Sequence, residues 1–575
     1  MKYTKLAELI NQCDWENAEK EFQICQHDTW TDELAILAAT LYFHNAQYEE
    51  AYESIQNGLR YNYANYELYL LLGNYYAQTN INQAWLCYEN AEFYCTNAED
   101  LEIIMQYKAA AENFPDWNVR KTSIVILSYN LKDIMQECIE SIRKRNLSSS
   151  YEIIVVDNNS TDGITEWLKQ QDDLKLICNT ENKGFPCACN QGIKLSEPEN
   201  NIFLLNNDTL ITANAIFWLR MGLYEEKHIG ATGSVSNEPA HGQLMSEECH
   251  TLDEYIAYGS KNNMPRKNPY EKKPFLIGFA LMLKREALDS VGLLDERFSP
   301  GQFEDDDLGM RLNYAGWQTV LCDNSFIFHY ISGVGKNHEL WIKTNEINAH
   351  KFKEKWKFDI GYYTFARYEI ISLIQHNHDE PIQILEVGCG LGATLTKIKY
   401  LWPNSSVYGI EIVERIAQIG ANYLNIIPGN IESMELPYAI EQFDYIILAD
   451  VIEHLHNPEE TLARLIPYLK KDGSFLCSIP NLMHMSVISP LLQGRFDYTE
   501  AGILDKTHLR FFTLDSIVKL FQKYTTIEKL TGTFGSLPTE EEQQMLDALE
   551  KIPNLAQKME FQIYQYIFSA KKNTL

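Results

Sequence analysis

Long apolar runs are scarce in this chain. The longest, Phe275–Leu283, is nine residues, about half the ~20 needed to cross a bilayer as a helix. The opening MKYTKLAELINQCDWENAEK has no continuous apolar core of the kind a leader peptide carries. A cytoplasmic chain with no transmembrane segment is expected, peripheral to a membrane only through its acceptor. Positive charge is short too: 49 Lys+Arg stand against 79 Asp+Glu, a formal net charge of −30. Adhesion to nucleic acid or anionic headgroups is then unfavourable, so any bound phosphate must be held locally. The 12 cysteines are scattered without C-x-x-C pairs, and Cys187 and Cys189 lack a second ligand pair at zinc spacing. Reduced thiols are expected. What the chain does have is an ordinary globular composition, 45% hydrophobic and 22% charged. Its 575 residues exceed the ~250–300 that one core serves, so several domains are expected.

Acidity is concentrated at the start, where residues 1–118 hold 5 Lys+Arg and 19 Asp+Glu, as in a separate module. Ala18/Phe22/Cys25, Ala51/Ile55/Gly58 and Ala84/Tyr88/Ala91 repeat at a spacing of 33 residues. Ala39 and Tyr42 are answered by Gly73 and Tyr76 in the preceding helices. Small residues followed by large ones make paired helices that bury their faces by stacking. This segment resembles tetratricopeptide repeats. Its tyrosines (Tyr61, Tyr63, Tyr66, Tyr69, Tyr75, Tyr76) suit a protein or glycan partner, while a plain helical spacer is the alternative. Phe114–Trp117 breaks the helical pattern, which sets a boundary near residue 118.

From Lys121 onward short β-branched runs alternate with helical stretches: Ser123–Ser128, Glu152–Val156, Leu174–Cys178 and Ile202–Leu205. This pattern predicts βαβ crossovers and a parallel sheet, whose ligands bind at the carboxyl ends of the strands. Asn130, Asp157 and Asp208 fall there. EIIVVDNNSTDG ends a strand in Asp157, NTENKGF places Asn182 and Gly184 after the third strand, and FLLNNDT sets Asp208 at the tip of a fourth. A carboxylate at Asp208 suits a divalent cation that neutralises a diphosphate. Further on, FEDDDLGMR supplies Glu304–Asp307 and FIFHY supplies His329.

In this order, over about Ser123–Tyr330, these motifs resemble the inverting family 2 glycosyltransferases of GT-A fold. The resemblance implies that Asn130, Asp157, Asn182, Gly184 and Asp208 bind a nucleotide sugar, with Asp157 at the base. It implies that Asp208 and His329 serve a divalent cation (Mn2+ or Mg2+), and that Asp305 is the base that deprotonates the acceptor hydroxyl. Asn206-Asn207-Asp208 stands where two aspartates are usual, which leaves one carboxylate ligand. Gly278 and Leu281 are candidates for the acceptor side or for plain packing.

A second α/β series begins at Ile384, with strands expected at Ile384–Val387, Val407–Ile410, Tyr445–Leu448 and Ser474–Ile479. ILEVGCGLG brings Glu386, Gly388, Gly390 and Gly392 to a strand end, where glycines allow close backbone approach. Glu411 closes the second strand, placed for ribose hydroxyls. With DVIEHL and SIPN these residues resemble class I S-adenosylmethionine-dependent methyltransferases, from about Tyr363 to Phe568. The resemblance implies a methionine-side loop at the three glycines, adenine contacts at Asn430 and Ile431, and Asp450 beside the methyl sulfonium. Glu453 and His454 read as packing and capping residues. The following segment holds His484, Arg495, Asp505, His508 and Arg510, of which His508 has the pKa class of a general base.

The expected architecture is multidomain: an α-helical repeat domain (1–118), a GT-A glycosyltransferase domain (119–357) and a Rossmann-like methyltransferase domain (358–575). The expected function is sugar transfer from a nucleotide sugar to a glycan or lipid-linked acceptor with inversion, plus S-adenosyl-L-methionine-dependent O-methylation of a glycan hydroxyl. Two alternatives remain: a protein glycosyltransferase that holds a polypeptide acceptor on its repeats, and a scaffold with one degenerate domain.

Overall fold

Seven helices open the chain: Thr4–Asn11, Trp15–Cys25, Asp32–His44, Tyr48–Tyr61, Tyr66–Tyr76, Ile81–Tyr94 and Ala98–Glu112. Five of the seven start at a side chain that accepts a backbone N–H group, from Asp14, Thr31, Asn65, Asn80 and Asn97. The small residues let neighbours close up. A Cβ on Gly58 would lie 2.5 Å from Ala35 Cβ, and one on Gly73 would lie 2.2 Å from the Tyr88 ring.

The computed structural model describes residues 2–237, 242–330, 338–535, 538–552 and 557–573. It divides into two compact units, Met1–Phe358 and Asp359–Leu575. The helices therefore share a unit with the first sheet. Gln83 donates to the Met221 carbonyl at 3.0 Å, the Tyr94 hydroxyl donates to Asn214 at 2.9 Å, and Glu89 pairs with Arg220 where both are buried. Tyr69, expected to face a partner, is buried against Phe217, with ring centroids 5.7 Å apart. Tyr61 remains exposed.

The first unit's strands are β1 (Thr122–Ser128), β2 (Tyr151–Asp157), β3 (Leu174–Cys178), β4 (Asn201–Asn206), β5 (Thr209–Ile211), β6 (Ile229–Val235), β7 (Tyr270–Lys273), β8 (Ala280–Leu283) and β9 (Gln318–His329). They lie in the order β3-β2-β1-β4-β8-β6-β9-β5, with β7 on β9. The runs rich in Ile and Val are parallel and buried on both faces, as helix-covered strands require. Each large apolar side chain taken fully out of water contributes about 1.5–3 kcal/mol. The apolar run Phe275–Leu283 is strand only over β8, which pairs antiparallel with β4.

The second unit holds β10 (Gln383–Val387), β11 (Ser406–Glu411), β12 (Asn425–Pro428), β13 (Phe443–Ala449), β14 (Leu469–Pro480), β15 (Thr525–Phe534) and β16 (Ile563–Lys572). Their order is β12-β11-β10-β13-β14-β16-β15, parallel through β14, with β16 antiparallel to both of its neighbours. The order reverses between β10 and β13, which opens a crevice at their carboxyl ends.

Candidate active sites

In the first unit Ser128 lies opposite Asp157 and Leu127 opposite Asn206, so β1, β2 and β4 end together. Asp157 is buried there and anchors its own loop, accepting from the Thr165 hydroxyl at 2.6 Å and the Ser160 N–H at 3.3 Å. Asn130, at φ +61°, accepts from the Thr161 N–H at 2.8 Å, tying the β1 loop to the β2 loop. Asn158, not singled out in the sequence, is the hub behind them: it donates to Asn182 at 2.8 Å and accepts from Asn179 and from the Lys183 N–H. Asn182 in turn accepts from the Gly184 N–H at 2.9 Å. Gly184 has φ +80°, and a Cβ there would meet Pro300 at 2.9 Å.

Asp208 and His329 are 121 positions apart and meet because β5 pairs antiparallel with β9, Thr209 opposite His329. Their Oδ1 and Nε2 atoms are 3.0 Å apart, and the Asn206 amide is 3.5 Å from the same Nε2. The His329 ring stacks on Phe279, centroids 5.4 Å apart. Next to Phe279, the Gly278 N–H donates to Asp305 Oδ2 at 2.8 Å. Gly278 thus has a definite contact, while Leu281 is buried in β8.

The four acids from Glu304 open the helix Glu304–Tyr314 and are not a solvated face: only Asp305 is half-exposed. Burial and the neighbouring acids push the Glu304 and Asp306 carboxyls well above the usual carboxylate range. Asp307, fully buried, is compensated by Arg311 at 2.8 Å, Lys355 at 2.6 Å and the Trp356 indole N–H at 2.9 Å. Asp305 also accepts the Asp306 N–H at 2.9 Å, so the helix start and the strand-side Gly278 orient it together. Cys189 is buried, and all 12 cysteines are free.

In the second unit the glycine loop uses backbone that glycine adopts freely and other residues rarely do: Gly388, Gly390 and Gly392 have φ of +70°, +56° and +81°. A Cβ on Gly390 would lie 2.9 Å from the Tyr363 carbonyl oxygen, and that oxygen accepts the Leu391 N–H at 3.0 Å. Glu411 holds the loop from the next strand, accepting the Gly390 N–H at 2.9 Å and the Val413 N–H at 2.8 Å. Burial pushes the Glu386 carboxyl up to about 8, and its Oε2 is buried with no hydrogen-bond partner. Asn430 is exposed and accepts the Glu432 N–H, while Ile431 is buried.

Asp450, at φ +55°, is bracketed: Arg367 pairs with one oxygen, Gln565 and the Ser478 hydroxyl donate to the other. Neither Arg367 nor Gln565 was legible, because Arg367 lies in the irregular stretch before β10 and Gln565 on the antiparallel β16. Glu453 and His454 fall in a 3-10 turn, Ile452–His454, rather than a helix start. Glu453 caps nothing: its carboxylate is buried and both oxygens lack a partner. Burial and the nearby Asp450 push it well above the usual range. Its backbone carbonyl accepts the Leu509 and Arg510 N–H groups at 2.8 and 3.0 Å, which brings His508 alongside. The His454 and His508 rings are 4.8 Å apart, and burial lowers the His454 pKa. Asp505 accepts from Thr507, Arg510 donates to the His456 carbonyl, and His484 accepts the Ser486 N–H, so these three shape backbone. Arg495 is exposed and donates to Gln493.

Residues 123–292 match the family model described as glycosyl transferase family 2, and residues 362–524 the model described as methyltransferase domain. The uncharacterized glycosyltransferase YfnE of Bacillus subtilis is 25% identical over 246 residues, 34% of this chain and 61% of that one. Glycosyltransferase GlyG of Streptococcus pneumoniae is 25% identical over 221 residues, 37% and 71% of the two chains. The malonyl-[acyl-carrier protein] O-methyltransferase of Halalkalibacterium halodurans is 29% identical over 174 residues, 28% and 59% of the two chains. The matched stretch spans about six tenths of the first and third of these relatives. The chain carries a glycosyltransferase domain followed by a methyltransferase domain.

Proposed function

We propose that the first unit transfers a sugar from a nucleotide sugar to a hydroxyl of a glycan or lipid-linked acceptor with inversion, and that the second O-methylates a glycan hydroxyl. The observation that carries the first half is the linked set Asp208–His329–Phe279–Gly278–Asp305 at one end of the sheet. Asp305 is the one half-exposed acid of its cluster, fixed through two N–H donors, with lone pairs left to take the acceptor's proton. The acceptor oxygen bonds to the anomeric carbon as the bond to the diphosphate breaks, so configuration inverts and no glycosyl-enzyme is needed.

Asp208 and His329 offer an oxygen and a nitrogen 3.0 Å apart, a donor set that fits Mn2+ or Mg2+, which would offset the charge of the leaving diphosphate. Asp157, Asn130, Asn182 and Gly184 shape the nucleotide side by tying adjacent loops together. In the second unit the unpartnered Glu386 Oε2 and the open glycine loop fit S-adenosylmethionine, which supplies an electrophilic methyl group when bound. Gly388, Gly390, Gly392, Glu411, Asn430 and Ile431 would hold it, and Asp450, fixed by Arg367, would face its positive end. His508 donates its Nδ1–H to the Ile503 carbonyl at 2.9 Å, which leaves Nε2 with a lone pair to accept the hydroxyl proton. Joining the two units keeps the first product near the second site.

A thermal-shift panel tests both halves, because a ligand that binds only the folded protein raises its melting temperature. A shift with one of UDP, GDP or dTDP that grows with Mn2+, together with a shift from S-adenosylhomocysteine, is the expected result. Response to neither class overturns the reading.

A further inference from the structure

The trio Glu453, His454 and His508 has no settled role in the chemistry above. One ligand atom from each lies within 4.8 Å of the others. Donors held about 2.0–2.2 Å from one ion sit about 3–4 Å apart, so small side-chain rotations bring all three into range. The tautomers are set by the backbone. His454 Nδ1 lies 3.2 Å from the Thr507 carbonyl oxygen and His508 Nδ1 lies 2.9 Å from that of Ile503. A carbonyl oxygen only accepts, so both Nδ1 atoms carry the proton and both Nε2 atoms keep a free lone pair. Histidines that ligate metals characteristically donate their other N–H to a carbonyl in this manner.

Glu453 is the second, independent observation. Its side chain is buried at 1% exposure with neither oxygen hydrogen-bonded; Asp450 and Arg367 act on it from nearby, and one of its oxygens lies within 4.8 Å of a ring nitrogen of each histidine. Burying a carboxylate without partners is unfavourable unless something positive meets it. Two backbone hydrogen bonds from the segment after His508 to the Glu453 carbonyl clamp the two halves of the cluster, 53 and more positions apart in sequence. Among the described residues no other set of three His, Cys, Asp or Glu side chains brings its ligand atoms this close together.

We infer that Glu453, His454 and His508 form a binding site for a divalent first-row transition-metal ion beside Asp450 in the methyltransferase unit. Two neutral imidazoles and one carboxylate are a donor set suited to such ions and leave coordination positions open. The role of the ion rests on the methyl-transfer reading: an open position takes the acceptor hydroxyl oxygen and lowers its pKa. The hydroxyl proton passes to water, the oxygen bonds to the methyl carbon, and the carbon–sulfur pair stays with sulfur. His508 is then a ligand rather than the proton acceptor.

The test is Mn2+ titration of the metal-stripped full chain, with free ion read by electron paramagnetic resonance. Asp208→Ala serves as background, since it removes the ion proposed for the sugar-transfer site. One equivalent is expected to bind this background. Adding His508→Ala or Glu453→Gln should weaken it more than about 100-fold, beyond the 10–100-fold that loss of an outer partner costs. An unchanged thermal shift with S-adenosylhomocysteine shows that the variants stay folded, and half-exposed His508 is the substitution least disturbing to the core. No bound Mn2+ in the Asp208→Ala chain, or binding unaltered by both further changes, overturns the site. Trio-dependent binding in a protein that methylates no glycan would overturn the methyl-transfer reading alone and leave the ion site in place.

Discussion

The two units bring carboxylates to the ends of parallel strands by different means. In the methyltransferase unit the loop-forming residues arrive in chain order, one per strand end: the glycines after β10, Glu411 at the end of β11 and Asp450 just beyond β13. In the glycosyltransferase unit the decisive contacts come from antiparallel pairings across long stretches of chain, β5 on β9 and β8 on β4. A site built from successive βα turns is written locally, whereas a site built from returning strands exists only after they pair.

That contrast breaks most sharply at Asp305. Asp305→Asn keeps the hydrogen-bonded shape but removes the base, so the sugar-transfer kcat is expected to fall about 10^2–10^4-fold. The shift with S-adenosylhomocysteine should be unchanged, and retained sugar transfer would remove Asp305 from the chemistry. Gly390→Val does the reverse. A side chain at φ +56° against the Tyr363 carbonyl should weaken S-adenosylhomocysteine binding at least about 100-fold by calorimetry, with nucleotide binding intact.

A smaller effect is expected from Arg367→Met, which leaves Asp450 without its cation. The loss of a charge-assisted hydrogen bond should destabilise the second unit by about 1.5–3 kcal/mol in urea unfolding. An unchanged midpoint would show that Gln565 and Ser478 suffice. A further effect is spread over several units of pH. The folded Glu386 carboxyl, at about 8, lies above its ordinary 4.5, so the folded state holds the proton more tightly. The second unit therefore loses stability as pH rises between those values, by up to about 1.4 kcal/mol per pH unit. Glu386→Gln should flatten that slope, as followed by thermal unfolding from pH 4 to 9.

Much of this was legible because βαβ units write their strands as short buried runs. All eight strands anticipated in the two sheets formed within one or two residues, apart from β14, which starts five residues earlier than the Ser474–Ile479 run. The glycine loop declared itself through residues that tolerate positive φ. Illegible were Asn158, Arg367 and Gln565, whose roles depend on partners from distant elements. The burial of Glu304 and Asp306 was hidden as well, since a run of four acids does not itself show which of them packing encloses. Tyr69 misled for a related reason: its exposure depended on whether the helices packed on the sheet.

By itself, then, the sequence determined the order of helices and strands, the two transferase domains and the strand ends that carry the candidate residues. Periodicity, turn residues and backbone permissiveness act over a few positions. Only the tertiary structure decided which side chains meet: Asp208 with His329, Gly278 with Asp305, and Glu453 with two histidines. Desolvation and hydrogen bonding are properties of a neighbourhood, and a neighbourhood drawn from residues 27 to 121 positions apart is created by packing.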